Sequence, residues 1–410
     1  MKISTLLTTL IVSTSAFAHP VHMDLEMSSS EYRKLLKNAK TSDQKSISRD
    51  DPAITEALNL GERLSRWVNV VNTRRTSQTA IRLTSESARR GIPIDKPDMY
   101  SPQIIKKITD ETVLKLPKAM KAILLTTVEL PSELPVSDET FIEYARKIDR
   151  NYQSAARYKT LNPYREHYIK AASKDVRGYY YLMTNQLGER ELADIKNIPP
   201  QKLPKVIESL AQLCVNTIGN AKKCNKDVHQ ALSSNKLSKF YKSYIKAGEK
   251  NWNSFFNIPS YAVRYDVNWS NNTAVIPFVT PELSKFAHYL KSNIEDEYRF
   301  GPWSLQLKFG NYEDAPYLRF QTGVVPHVDR LGGNEIVMDS NQSIEEYESQ
   351  WTIRHEFGHI LGLPDCYHEF FDAKLNAYVN YQIDTTDLMC SRAGNMNERI
   401  YLELKKAYTK

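Results

Sequence analysis

The sequence predicts an α+β protein in two parts. A mainly helical part covers residues 19–258, and a part with a twisted sheet, one central helix and a closing C-terminal helix covers 259–410. Three observations carry this reading. Apolar residues recur at helical spacing through the first part, alternation of period two appears past Trp252, and net charge changes sign between the parts. A chain of 410 residues that is 41% hydrophobic also exceeds one ordinary core.

Residues 1–18 read as a secretory signal: Lys2, an apolar run from Ile3 to Val12, and Ala16-Phe17-Ala18 as a small-x-small cleavage site. Cleavage after Ala18 would send the product to the periplasm or the medium. The new terminus, His19-Pro20-Val21-His22, reads as a disordered tail, with a copper site at the terminal amine as the alternative. No later apolar stretch is long enough to span a bilayer, so no stable membrane insertion is expected.

Asp51-Pro52 reads as an N-cap and first helical residue, followed by Ile54, Leu58, Leu64, Trp67, Val68 and Val71 at helical spacing. Ser137 starts another helix carrying Phe141, Ile142, Ala145, Ile148 and Tyr152. The pattern continues through Val206, Ile207, Leu210 and Leu213, and again through Leu237, Phe240, Tyr241, Tyr244 and Ile245. Proline-bearing loops at Pro131–Pro135 and Pro199–Pro204 separate these stretches. Beyond Trp252, YAVRYDVNW (261–269) alternates like a strand and Pro281 opens a helix reaching about Arg299. WSLQLKFG and PYLRFQTG alternate again, and NEIVMD (334–339) reads as a sheet edge ahead of a helix that begins near Glu346.

Residues 355–365 read HEFGHILGLPD. His355 and His359, four apart on a helix, share a face and aim two imidazoles at one metal ion, with Glu356 beside the remaining coordination position. Zinc suits this set, because a catalytic zinc takes three protein ligands and keeps one position open for water. Gly362 can end the helix and turn the chain back, which brings Asp365 into register as the third ligand. His368, three positions on, offers a nitrogen as the alternative.

Here the chain resembles the metzincin clan of zinc endopeptidases, whose motif HExxHxxGxxH carries Asp at the last position in some members. Metzincins also have a methionine in a tight turn beneath the zinc, and DTTDLMCS places Met389 in that order. NMNERIYLELKKAY then supplies Met396, Ile400, Leu402 and Leu404 to pack a last helix. The resemblance covers about 150 residues at most, with its specific motifs in 355–390. It implies peptide-bond hydrolysis by a zinc-activated water with Glu356 as general base, and a protein or peptide substrate pairing along a sheet edge. The chain lacks the tyrosine that several members carry just after the methionine turn. Tyr367, Tyr378 and Tyr381 are the candidates for steadying the transition state.

Four cysteines allow three pairings, and spacing favours Cys214 with Cys224 and Cys366 with Cys390, each closing a short local loop. The second bridge would tie the residue after the third ligand to the residue after Met389. Residues 259–410 hold 14 Lys and Arg against 21 Asp and Glu, whereas 19–258 hold 40 against 27. A basic part beside an acidic one predicts that the two dock, and the basic surface also suits anionic envelope polymers or acidic proteins; a nucleic-acid partner is not expected. Two other functions compete. In one, the enzyme belongs to another zinc-peptidase clan, with Asp384, Asp387 or Glu398 as third ligand; in the other, a non-enzymatic envelope-binding protein keeps a structural zinc. The Gly362 spacing opposes the first, and Glu356 opposes the second, since a structural zinc needs no base.

Overall fold

The computed structural model describes residues 25, 27, 29–37, 39, 51–76, 79–83, 97–391 and 394–409. The signal segment 1–18 and the histidine-bearing terminus at 19–22 lie outside the described residues. Mixed α and β structure is present, with three small sheets among the described residues.

The helical part comprises α1 (Ser29–Leu36), α2 (Pro52–Asn72), α3 (Pro102–Lys115), α4 (Lys118–Leu124), α5 (Asp138–Leu161), α6 (Arg165–Ala171), α7 (Arg177–Thr184), α8 (Leu203–Ile218), α9 (Ala221–Ser233) and α10 (Leu237–Ser254). One strand, β1 (Asp98–Tyr100), interrupts them. Helix starts follow their caps. Asp51 accepts from the Ala53 amide at 2.9 Å with Pro52 at the first position, and Ser137 accepts from the Thr140 amide at 3.3 Å. The buried faces form two apolar clusters. Trp67, Met120, Phe141 and Ile148 knit α2, α4 and α5, while Val206, Leu210, Leu213 and Phe240 knit α8 to α10. Cys214 and Cys224, their sulfurs 2.04 Å apart, join α8 to α9.

In the second part, β2 (Asn268–Ser270), β3 (Thr273–Val279), β4 (Arg299–Phe300) and β5 (Trp303–Gly310) form one sheet in the order β2-β3-β5-β4. β3 and β5 run parallel, joined through α11 (Ser284–Glu297). A second sheet has β6 (Tyr317–Gln321), β7 (His327–Val328) and β8 (Glu335–Asp339) in the order β6-β8-β7. Then come α12 (Tyr347–Ile360), β9 (Tyr367–Asp372), β10 (Ala377–Gln382) and α13 (Glu398–Tyr408).

Four expectations need correction. Only the end of 261–269 is strand: Ser260–Ala262 is a 3-10 turn, and Arg264 is buried, donating to the Gly333 carbonyl at 2.7 Å and pairing with Asp266. Helix α11 starts at Ser284 rather than at Pro281. Residues 335–339 are the middle strand of their sheet, flanked by β6 and β7, so the edges belong to Tyr317–Gln321 and His327–Val328. The reason lies in the run Ile336-Val337-Met338, which is buried throughout instead of alternating, as befits a strand covered on both faces. Leu402 is 52% exposed, whereas Ile400 and Leu404 carry the buried face of α13.

The two parts share structure. β1 pairs antiparallel with β10, so the third sheet runs β1-β10-β9. Leu25, Val176 and Phe256 lie in one apolar cluster with Phe357, Leu388 and Met389, and Ile54, Tyr152 and Ala155 lie in another with Phe371 and Tyr378.

Candidate metal centre

Every residue from Ser349 to Ile360 of α12 is buried, so this helix runs through the interior and its polar side chains must find partners inside the protein. Arg354 pairs with Glu297 at 3.3 Å and donates to Asn293 Oδ1 at 2.8 Å; the Tyr298 hydroxyl donates to the Arg354 carbonyl at 2.8 Å. These bonds lock the helix to α11 one residue before His355.

Both histidines are held by the ring nitrogen that points away from the site. His355 Nδ1 donates to the Leu388 carbonyl and His359 Nδ1 to the Leu363 carbonyl, each at 2.8 Å. A carbonyl can only accept, so Nδ1 carries the proton and Nε2 of each neutral ring is left as a lone pair. The two Nε2 atoms face one oxygen, Asp365 Oδ1, at 3.0 and 3.2 Å. His355, Glu356 and His359 place ligand atoms within 4.8 Å of one another, a group that can hold a metal ion.

Asp365 arrives by way of a helix stop. Leu363 donates to the Gly358 carbonyl at 3.0 Å and Gly362 to the His359 carbonyl at 2.9 Å, the paired bonds of a Schellman turn. Gly362 sits at φ +82°, and a Cβ there would lie 2.6 Å from the Ala262 carbonyl oxygen, so conformation and space both require glycine.

The electrostatics favour a cation between these side chains. Burial alone would raise the Asp365 carboxyl, but His359 and His355 hold it well below the usual carboxylate range. Burial opposes protonation of His359, yet the Asp365 carboxylate, with Glu356 behind it, raises that imidazole to about 9. Glu356 itself is 6% exposed, and its Oε2 is buried with no hydrogen-bond partner among the described residues. A buried carboxylate oxygen without a donor is costly unless something at the site satisfies it. The two Nε2 atoms, which become lone-pair donors once a cation takes the place of their protons, a carboxylate oxygen and this orphaned oxygen are the donor set a divalent cation with a bound water would satisfy.

Met389 forms the floor. A Cβ on Gly358 would fall 2.3 Å from Met389 Sδ, so thioether and helix backbone are in direct contact. The turn is braced by Asp387, fully buried, whose Oδ1 accepts from the Met389 amide at 2.9 Å and whose Oδ2 accepts from Arg399 at 2.6 Å. Cys366 and Cys390 are disulfide-bonded, and the Cys366 amide donates to the Met389 carbonyl at 3.0 Å. Both sulfurs are used in that bridge, so their grouping with Asp387 is not a metal site.

Other sequence candidates lie elsewhere. His368 points to the opposite face of β9 from its neighbour Tyr367, packing against Phe255 and Phe370, and burial pushes its imidazole down to about 4. Asp384 caps its own turn through Thr386, Asp387 is taken by Arg399, and Glu398 is exposed at the start of α13. Tyr378 packs among Tyr158, Tyr168 and Phe371, and Tyr381 lies 3.8 Å beneath the Arg177 guanidinium. Only Tyr367 neighbours the centre, its ring 6.5 Å from that of His355. Its hydroxyl accepts from Arg157 Nη2 at 3.1 Å. Arg157, in α5, and Glu369 are residues that sequence reasoning missed. Their pairing spans 212 positions, and no local pattern signals it.

No protein-family model, curated protein or solved structure matches this chain.

Proposed function

We propose that the chain is an exported zinc-dependent endopeptidase resembling the metzincins. The observation that carries this is the convergence of His355 Nε2, His359 Nε2 and Asp365 Oδ1 beside the partnerless, buried Glu356 Oε2. His355, His359 and Asp365 would hold the zinc. When bound, that ion supplies Lewis acidity toward the scissile carbonyl and acidifies a water. Glu356 accepts the proton from the attacking water and delivers it to the leaving amine. The Leu388 and Leu363 carbonyls keep both imidazoles in the tautomer that presents Nε2.

The element order supports the metzincin-like reading: strand, helix, strands, metal helix, methionine turn, final helix. The bonding of Asp384 to Thr386 and of Asp387 to Arg399, and the exposure of Glu398, speak against the other clans. A structural zinc would want a closed set of four ligands, which leaves the orphaned base unexplained. The substrate's extended backbone would add to the edge strand β7. Export is supported by two disulfides, and no helix among the described residues is long and apolar enough to cross a membrane.

The test is Glu356→Gln. It should keep about one zinc per chain and lose roughly 10² or more in proteolytic rate, because the base goes while the ligands stay. Undiminished proteolysis by that variant would refute the mechanism.

A further inference from the structure

Helix α5 touches the metal centre's supports at three places. The Tyr152 hydroxyl donates to Asp339 Oδ2 at the end of β8 at 2.6 Å, and Gln153 Nε2 donates to Glu348 in the first turn of α12 at 3.1 Å. One turn further on, Arg157 forks onto Glu369 of β9, Nε to Oε1 at 2.8 Å and Nη2 to Oε2 at 2.9 Å. Nη2 also reaches the Tyr367 hydroxyl at 3.1 Å. Glu369 is only 6% exposed at its side chain, and it accepts from the Tyr100 hydroxyl of β1 at 2.9 Å. From the helical part, too, the Leu83 amide donates at 2.9 Å to Glu346, the N-cap of α12.

We infer that Arg157 is a positioning residue for the metal centre, and that the helical part is a permanent half of that centre and not a removable cover. Asp365 lies two residues before β9, on a loop with no helix or sheet bonds of its own at that point. What aims its carboxylate is the Gly362 turn on one side and, on the other, Cys366, bridged to Cys390 and bonded to the Met389 carbonyl, with the start of β9 directly behind it. Arg157 clamps that start at two alternate residues, Tyr367 and Glu369, which share a face of the strand. It also holds the Tyr367 ring against His355, since its guanidinium lies 5.2 Å from that ring. A planar bidentate donor fixes orientation as well as distance, which a lysine ammonium does not. A detachable cover would meet the site through exposed, salt-screened contacts. Here removal would strand a buried carboxylate and strip β10 of its neighbour β1.

This rests on the reading of 355–365 as a metal centre, and its test needs no peptidase activity. Full-length Arg157→Met and Arg157→Lys would be compared with wild type in zinc affinity, by competition with a chromophoric chelator, and in the visible spectrum of the cobalt-loaded protein. Arg75→Met, which breaks an exposed pair with Asp138 on the same helix, controls for general loosening of α5. Arg157→Met should bind zinc about tenfold or more weakly with a shifted cobalt band, in the range seen when a partner behind a metal ligand is removed. Arg157→Lys should fall between, and Arg75→Met should match wild type. If Arg157→Met does not fold, Arg157→Lys and Tyr367→Phe carry the comparison. Wild-type affinity and spectrum in the folded Arg157 variants would overturn the inference. A second arm introduces a specific protease site at Asn257, an exposed residue in the connection between the parts. After nicking, the halves should stay together on gel filtration in about 1 M salt, where screening defeats exposed charge pairs; their separation would overturn permanence. Failure of the peptidase reading would show instead as unchanged turnover in Glu356→Gln, with the metal measurements unaffected.

Discussion

Gly358→Ala isolates the contact between the metal helix and the methionine turn. A helical glycine replaced by alanine ordinarily gains about 1 kcal/mol from propensity. Here the new methyl would lie 2.3 Å from Met389 Sδ, 2.9 Å from its Cε and 2.9 Å from the Tyr298 hydroxyl. None of these can easily move: Met389 is fully buried and held through Asp387, and Tyr298 is fully buried and bonded to the Arg354 carbonyl. Overpacking of this kind costs about 1–3 kcal/mol, so after the propensity gain a net loss of up to about 2 kcal/mol is expected, with weaker zinc binding as His355 and His359 shift. Met389→Ala alone should cost about 2–5 kcal/mol by leaving a cavity. The decisive assay is the double-mutant cycle in urea. Because the alanine methyl would occupy space vacated by the thioether, the double variant should be more stable than the sum of the singles by about 1 kcal/mol or more. Additivity within about 0.5 kcal/mol would show that the contact does not exist.

Asp365→Ala should abolish stoichiometric zinc while His368→Ala retains it; metal analysis of the two purified variants checks this, and the reverse outcome would move the third ligand to β9. Replacing Cys366 and Cys390 by serine, which opens a loop of sequence separation 24, should cost on the order of 3 kcal/mol in urea unfolding. Burial raises the Asp339 carboxyl to about 6 from its ordinary 3.8, against the bonds from Tyr152, Asn341 and Gly323. Between those values the folded state holds a proton that the unfolded state has released, so this group's stabilisation is full below about pH 4 and lost as pH rises through about 6. Relative to Asp339→Asn, wild type should lose up to about 3 kcal/mol between pH 4 and 7, and a pH-independent difference would refute that.

What the sequence disclosed depended on how locally each constraint acts. His355, His359 and Glu356 were legible because a spacing of four on a helix has one geometric meaning, and Gly362 because a helix stop followed by Asp365 needs a residue free to adopt positive φ. The caps at Asp51 and Ser137 were legible for the same reason, since each acts within three residues. The strand NEIVMD was recognisable, as was its parallel neighbour β6 within PYLRFQTG, but not that NEIVMD is the middle strand: that is decided by β7, a two-residue segment too short to announce itself. The alternation over 261–269 misled because Arg264 turns inward to bind Gly333 and Asp266, leaving Tyr261 and Tyr265 exposed where a strand would have buried one face. Hardest to see was Arg157. An arginine on a helix is ordinarily a solvated residue, and only the fold brings it to Glu369 and Tyr367, 212 and 210 positions away, behind the candidate metal site. The charge contrast between the parts suggested docking driven by loose surface attraction. The contacts that join them include a forked ion pair onto a buried carboxylate, a shared sheet and shared apolar clusters, which bind the helical part to the candidate site through geometry and burial more than through net charge.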